Sequence, residues 1–453
     1  MGSEGPGHCG DPDFQLNPEG LELAVELLGV YAPGGQDPGR SRSARLSGGL
    51  PETGGLGRSP GGPSETPGGL PEALGASELP ETGIGSRSSL GELARPFLGE
   101  AADLGNPGSC AHMDPPTPWV SWAAALWAAS RNQNLLHPDT APVARDLEAV
   151  AIRWIAPYFG MGGGHLVPGS TVANLTALWA ARELRGVTEV VASEAAHVSL
   201  RKAANLLGLA YRSVRTDGFD RLDPTSMGDL RSACLVLTAG TTVMGSIDPL
   251  DAGQDAAWRH LDAAWAGPLR FSHLHRGLLD GVEAMDSVSV SAHKLMFQPK
   301  ESAMVLFADV ARSHAALSFT ASYLSVPNVG LLGSHGATAL GLVATLLAWG
   351  RAGLAARIER CMDLAVQLDA MVVSDGNLER LAPPATGIVL WRPKRVEAPA
   401  VRDQLRATSV SLGLHQGEQW LRCVFANPNG DPALLVDEVR RVIGLGRPAA
   451  RAS

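Results

Sequence analysis

Residues Asp286–Pro299 read DSVSVSAHKLMFQP, and the rest of the chain is organised around them. The run opens with alternating Val and Ser, a short strand signal, and delivers Ser291, Ala292, His293 and Lys294 at the strand's end. Lysine is scarce here. Lys202, Lys294, Lys300 and Lys394 are the only four, against abundant arginine. A lysine at the mouth of a strand beside a histidine suits Schiff-base chemistry, in which a desolvated amine of lowered pKa attacks a carbonyl. On this stretch alone, a surface lysine in a strand-to-loop turn is the better reading. The neighbouring motifs reverse that preference.

Working outward, strand and helix signals alternate. Helices are expected at Trp122 to Ser130, Val143 to Ile155, Thr171 to Leu184 and His197 to Leu207. Strands are expected at Glu189 to Ala192, Ala233 to Thr238, Trp258 to Asp262, Ser287 to Ser291 and Ala303 to Phe307. Their apolar character suits a sheet covered on both faces. The alternation predicts an α/β fold with a mainly parallel, doubly wound sheet. Gly160 to Gly164 reads as a glycine-rich loop. A long helix is expected over Gly336 to Gly350. A smaller α+β C-terminal domain follows, with strands Gly387 to Trp391 and Trp420 to Phe425 and a last helix Leu434 to Ile443.

The 453 residues allow a large core and two or three domains. The expected division is an N-terminal segment 1–30 with a short helix within Leu16 to Leu28, a linker 31–89, a large domain 90–350 and a small domain 351–446. The linker is dominated by Gly, Pro, Ser and Glu, with the near-repeats GLPETGG and GLPEALG. Such a composition cannot bury enough apolar surface to offset its ordering entropy, so disorder is expected there. The net charge of −9 and the lack of a basic stripe argue against nucleic acid as a partner. No uninterrupted apolar run of membrane-spanning length and no secretory signal is read, so no membrane partner is expected. Five scattered cysteines without a CxxC pair read as reduced thiols in a cytoplasm.

Four further stretches fall where strands end, the place where open α/β sheets bind ligands. Gly169-Ser170-Thr171 precedes a helix and offers N–H groups and hydroxyls to an anion; a plain N-cap is the alternative. His197, just after a strand, can stack on a flat ring or serve as acid or base. The TAGTT run from Thr238 to Thr242, leading to Asp248, needs close backbone approach and supplies hydroxyls. In His260-Leu261-Asp262-Ala263-Ala264-Trp265, Asp262 can lie under a pyridinium nitrogen and keep it protonated, or simply cap a turn.

In this order, and ahead of Ser291-Ala292-His293-Lys294, these motifs resemble the pyridoxal-phosphate-dependent group II amino-acid decarboxylases, which have the aspartate-aminotransferase type of fold. The resemblance covers roughly Gly105 to Val442. It implies pyridoxal 5'-phosphate as cofactor, bound to Lys294 as a Schiff base, and an amino acid as substrate. It implies Asp262 on the ring nitrogen, with Ala264 and His197 on opposite ring faces. Ser170, Thr171, Ser291 and His293 would hold the phosphate, and Thr242 and Asp248 would support the ring. Arg422, in LRCVFANP, would recognise the substrate carboxylate, and His112, in CAHMDPPTP, would face the substrate. The family builds its site between subunits, so a homodimer is expected. The family's long loop carrying a proton-donating tyrosine is missing, since only SVPNVGLLGSHG follows Tyr323-Leu324 before the next helix. His335 stands where the family has arginine. These departures leave another reaction of the same cofactor as the first alternative, either amino transfer or aldehyde-forming deamination. A non-catalytic scaffold is the second.

Overall fold

The structure, a computed structural model, describes residues 22–26 and 78–444. Most of the expected linker lies outside those residues, as does most of the expected first helix, of which 22–26 are helical. Contacts divide the chain into two units. Within the first, Met1–Asp103, helix α1 spans Ser86–Ala94 and runs into a π-type turn, Arg95–Gly99. The second unit begins at Leu104 and carries two larger sheets and a two-stranded ribbon.

The larger sheet has seven strands: β1 (Gly163–Val167), β2 (Glu189–Ser193), β3 (Ala210–Val214), β4 (Ala233–Thr238), β5 (Trp258–Asp262), β6 (Ser287–Ser291) and β7 (Ala303–Phe307). Their spatial order is β1-β7-β6-β5-β4-β2-β3. Strands β6, β5, β4, β2 and β3 are parallel neighbours, whereas β7 pairs antiparallel with both β6 and β1. Burial on two faces explains the apolar runs. In β4, Ala233, Leu235 and Leu237 enter one core cluster while Cys234 and Val236 enter the other. The alternation in β6 has a different meaning from half-exposure. All five residues are buried, Val288 and Val290 in apolar packing and the serines in a buried polar layer. That polar layer becomes part of the site.

Four helices flank the expected strands: α2 (Trp119–Arg131), α3 (Ala144–Ile155), α4 (Ser170–Arg185) and α5 (Val198–Leu207). A short helix α6 (Val310–Ala316) follows β7. Two readings need correction. Strand β3 was not anticipated, because AYRSV carries Arg and Ser on an edge. The glycine-rich stretch is not wholly a loop. Gly163 and Gly164 open β1, and a Cβ on Gly164 would collide with the Val305 carbonyl. The glycines therefore permit close strand approach.

The expected helix ending at Gly350 continues as α7, Ala339–Ser374, with Gly350 breaking its dihedrals at φ 60° and ψ −177°. By length and composition it could cross a membrane. Its buried residues, from Leu342 through Ile358 to Val372, instead pack into the core. Beyond it lie β10 (Leu378–Arg380), β11 (Ile388–Pro393), helix α8 (Ala398–Arg402), β12 (Ser411–His415), β13 (Glu418–Val424) and helix α9 (Pro432–Val442). These four strands form an antiparallel sheet in the order β10-β11-β13-β12. Residues assigned by sequence to the large domain are stitched to it: Cys110 N–H donates to Ser409 O and Val424 N–H to Cys110 O. A small ribbon, β8 (Ser318–Phe319) with β9 (Asn328–Val329), closes residues 320–327.

Candidate active site

The carboxyl ends of β4, β5 and β6 and the start of α4 converge on one cleft of about 240 Å³. Lys294, His197, Asp262, Ala264, Ser170, Thr171, Thr242, Ser291 and His293 all line it. The sequence spreads them over more than a hundred positions; the parallel pairing of β4, β5 and β6 brings their carboxyl ends to one edge.

Lys294 follows β6 in a tight turn in which Lys294 N–H donates to Ser291 O and Phe297 N–H to Lys294 O. Phe297 pays for that turn with φ +60°. Burial lowers the pKa of the amine, opposed by the attraction of Asp262. A lysine so placed holds more of the neutral, nucleophilic form.

Asp262 closes β5 and is only 4% exposed. Its Oδ2 accepts from Asn174 Nδ2 at 2.9 Å, and its Oδ1 from Ala264 N–H at 3.2 Å. His197 caps α5: its Nδ1 accepts from Ser199 N–H at 3.2 Å. The walls of the cleft lower its pKa, Asp262 pulls it up, and Lys294 and Lys202 lower it further.

At the other end, Ser170 and Ser291 share a very short hydroxyl contact at the N-terminus of α4. A Cβ on Gly169 would meet only open space, so the helix start is accessible. His293 Nδ1 donates to Ser302 O at 3.0 Å, leaving Nε2 for a ligand. Burial, with Lys300 and Lys294 adding to it, pushes the pKa of His293 down to about 4.

Three sequence candidates lie elsewhere. Asp248 does not line the cleft. Its carboxylate accepts Leu222 N–H at 2.7 Å and Thr238 N–H at 2.8 Å, and it faces a neighbouring cavity with Ile247 and Leu250. Through the Thr238 N–H it holds the end of β4. Arg422 is buried behind the wall, donating to Thr242 O (2.8 Å), Ala111 O (3.2 Å) and Ser411 Oγ (3.0 Å). Burial pushes its pKa down to about 10. His112 is exposed, and Met113 lines the cleft instead.

Sequence reasoning also passed over residues that matter. Thr238 and Trp265 lie inside quoted motifs and line the cleft. The Thr238 hydroxyl is buried without a hydrogen-bond partner, a cost that a bound polar ring would relieve. Gly240, at φ +100°, passes so close to Trp265 that a Cβ would sit 2.6 Å from its ring. Asn174, fully buried in α4, contacts Asp262 directly; its place in ANLTAL carried no signal beyond a helix interior.

An amine of lowered pKa, a buried carboxylate facing it, a helix start ringed with hydroxyls and an orphaned threonine fit a phosphorylated pyridine aldehyde. The comparisons agree. A family model described as the pyridoxal-dependent decarboxylase conserved domain matches residues 103–394. The L-2,4-diaminobutyrate decarboxylase of Rhizobium meliloti (strain 1021) is 30% identical over 412 residues, covering 81% of this chain and 82% of its own. The aspartate 1-decarboxylase of Aliivibrio fischeri (strain ATCC 700601 / ES114) is 26% identical, covering 71% and 70%. Among solved structures, the glutamate decarboxylase domain of a Vibrio parahaemolyticus diaminobutyrate-pyruvate transaminase and L-2,4-diaminobutyrate decarboxylase shares the fold. Its TM-score is 0.77 at 21% identity, over 97% of this chain and 98% of that one. The chain belongs to the pyridoxal-dependent decarboxylase family. Its reaction is the pyridoxal-phosphate-dependent decarboxylation of an amino acid to an amine.

Proposed function

We propose that the substrate is a small amino acid with a polar side chain, and that the residues lining the cleft act as follows. The observation that carries the assignment is the convergence of Lys294, Asp262, His197 and the α4 start on one cleft. Bound there, the cofactor ring supplies a sink for the electron pair left when CO2 departs. Lys294 offers the amine that holds the cofactor's carbonyl carbon. Asp262 keeps a proton on the ring nitrogen. His197 and Ala264 enclose the ring faces. Ser170, Thr171, Ser291 and the α4 N-terminus receive the phosphate. Thr238 and Thr242 offer hydroxyls along the ring edge. Arg422 fixes the backbone of Thr242 and Ala111, setting the wall at the substrate end.

The names of relatives support the substrate class: two diaminobutyrate decarboxylases and an aspartate decarboxylase match over most of the chain. A screen of CO2 release with L-2,4-diaminobutyrate, L-aspartate, L-cysteine sulfinate and L-tryptophan tests it. Preference for tryptophan would overturn it. We also place the protein in a reducing cytoplasm, on the buried unpaired thiols of Cys110, Cys234, Cys361 and Cys423. A homodimer is supported by the apolar face of α2. Trp119 and Trp127 are 71% and 67% exposed there, beside Trp122 and Leu126. Sedimentation of an active, cofactor-loaded monomer would refute the dimer.

A second reading rests on the short ribbon. Tyr323 is 70% exposed and packs edge-on against His137, and no tyrosine lines the cleft among the described residues. Without a tyrosine donor, the electron pair left by CO2 can pass to dissolved dioxygen instead of a proton, giving hydrogen peroxide, and water then releases an aldehyde and ammonia. Product analysis separates the two: amine alone supports decarboxylation, and aldehyde with ammonia supports the second reading.

A further inference from the structure

We propose that Asn174 is a positioning residue for the reaction: one buried amide that fixes the carboxylate of Asp262 and, through Ser199, the proton of the His197 ring. The inference rests on the assignment of Asp262 and His197 to the cofactor ring.

An asparagine side chain offers two N–H donors and two acceptor lone pairs. Here all four are used at a fully buried position. Nδ2 donates to Asp262 Oδ2 at 2.9 Å and to Ser199 Oγ at 3.0 Å. Oδ1 accepts from Ser289 Oγ at 2.7 Å and faces His260 Nε2 at 3.1 Å. Rotating the amide by half a turn would set its oxygen against the carboxylate. The arrangement therefore has one orientation.

That orientation propagates. His260 must carry its proton on Nε2 to donate to Oδ1. Its Nδ1, which also lies 3.2 Å from the Ser287 carbonyl, then accepts from Ser287 Oγ at the shorter 2.9 Å, and Ser287 Oγ in turn accepts from Trp258 Nε1 at 2.8 Å. On the other side, Ser199 Oγ accepts from Asn174, and because Ser199 N–H already makes His197 Nδ1 an acceptor, the hydroxyl's own proton goes to that nitrogen, 2.9 Å away. Ser199 N–H points at the same nitrogen. His197 is thus held with its proton on Nε2, the nitrogen that Ser199 leaves to the cleft. Ser287 and Ser289 of β6 and the buried His260 are members of one ordered network with Asn174 at its hub. Networks of this kind act by holding the groups that touch the reacting atoms in a single geometry and protonation state.

The test uses the full-length, cofactor-loaded enzyme. Nitrogen-15 histidine NMR at neutral pH should show His197 and His260 both protonated on Nε2. Asn174→Ala should lower kcat about 30-fold while KM changes less than about threefold, a loss confined to the reacting state. It should also move the pH midpoint of the cofactor's visible band and mix the tautomers of His260. Should Asn174→Ala fail to fold, Asn174→Asp keeps the shape and carries the test, with the band midpoint shifted by about one pH unit because two acids then share a site. A proton on Nδ1 of either histidine in the wild type, or a folded variant with unchanged kcat and band, overturns the proposal. Failure of borohydride to fix cofactor on Lys294 would instead overturn the reading of the cleft, leaving the tautomers intact.

Discussion

Two buried aspartates sit at the carboxyl ends of the neighbouring strands β4 and β5, and their surroundings differ in kind. Asp248, 2% exposed, has its oxygens occupied by backbone N–H groups of Leu222 and Thr238. Burial pushes its pKa up to about 6 against the pull of those two N–H groups. Asp262, 4% exposed, is held by the buried amide of Asn174 and one N–H from Ala264, with Ser289, itself donating to Asn174, packed 3.4 Å away. It keeps an edge on the cleft that holds Lys294 and His197. A carboxylate consumed by backbone is part of the fold. One held by a buried polar scaffold and left open on one side is available to a ligand. Burial alone does not separate the two; the identity of the partners does.

The comparison breaks most completely at the cleft. Lys294→Ala should lower turnover by at least roughly a thousandfold, since the attacking amine is lost. Borohydride reduction of the wild type followed by peptide mapping should place the pyridoxyl group on Lys294; label on Lys202 or Lys300 would sink the assignment. Asp262→Asn keeps shape and loses charge. A loss of about 3 kcal/mol of transition-state stabilisation slows the chemical step on the order of a hundredfold. Near-wild-type turnover with chemistry rate-limiting would make Asp262 a turn cap, like Asp248.

Asp248→Ala tests the other side. Two buried N–H groups lose their acceptor at about 1–3 kcal/mol each, so the expected loss of folding stability is about 3 kcal/mol. In cofactor-saturated enzyme kcat should stay within about threefold. Urea unfolding and turnover are the two readouts, and a kcat loss matching that of Asp262→Asn would erase the distinction drawn between the two acids.

What the sequence made legible follows the same line. The five strands expected from apolar runs or alternation are local patterns, and β4 to β7 match the expected spans to the residue. Lys294, Asp262, His197, Ser170 and Thr171 were legible because ordered motifs carry them. Asn174 was not, because its role depends on β5, β6 and α5 meeting at α4, which no local pattern encodes. The place of Asp248 outside the cleft was hidden for the same reason: its motif puts it near β4, but which way a side chain faces after a turn is set by tertiary contacts. Strand β3 and the glycines of β1 were missed where edge position and close approach replaced hydrophobicity as the determinant.

A third buried acid, remote from the cleft motifs, sharpens the contrast through pH. Glu438 on α9 is 7% exposed. Its Oε1 accepts from Arg406 N–H at 2.8 Å and Ala407 N–H at 3.0 Å, and its Oε2 from Thr408 Oγ1 at 2.6 Å. Arg441 adds a contact at 3.0 Å. Burial raises its pKa, but these donors outweigh burial and hold it at about 2, below the ordinary 4.5. A carboxyl whose folded pKa is depressed binds its proton more readily in the unfolded chain. Its stabilisation is therefore complete above about pH 4.5 and is lost as pH falls toward 2. Glu438→Gln should cost about 2 kcal/mol at neutral pH, a figure reduced for partial solvent screening. The gap from wild type should narrow below pH 4.5 and nearly close at pH 2, where the wild-type acid is itself half protonated. Turnover should change less than twofold, because the clasp joins α9 to the approach to β12 and touches no residue of the cleft. Urea unfolding of both proteins across that range reads the gap directly. A gap that stays constant from neutral pH to pH 2 would mean that shape, not charge, holds this clasp.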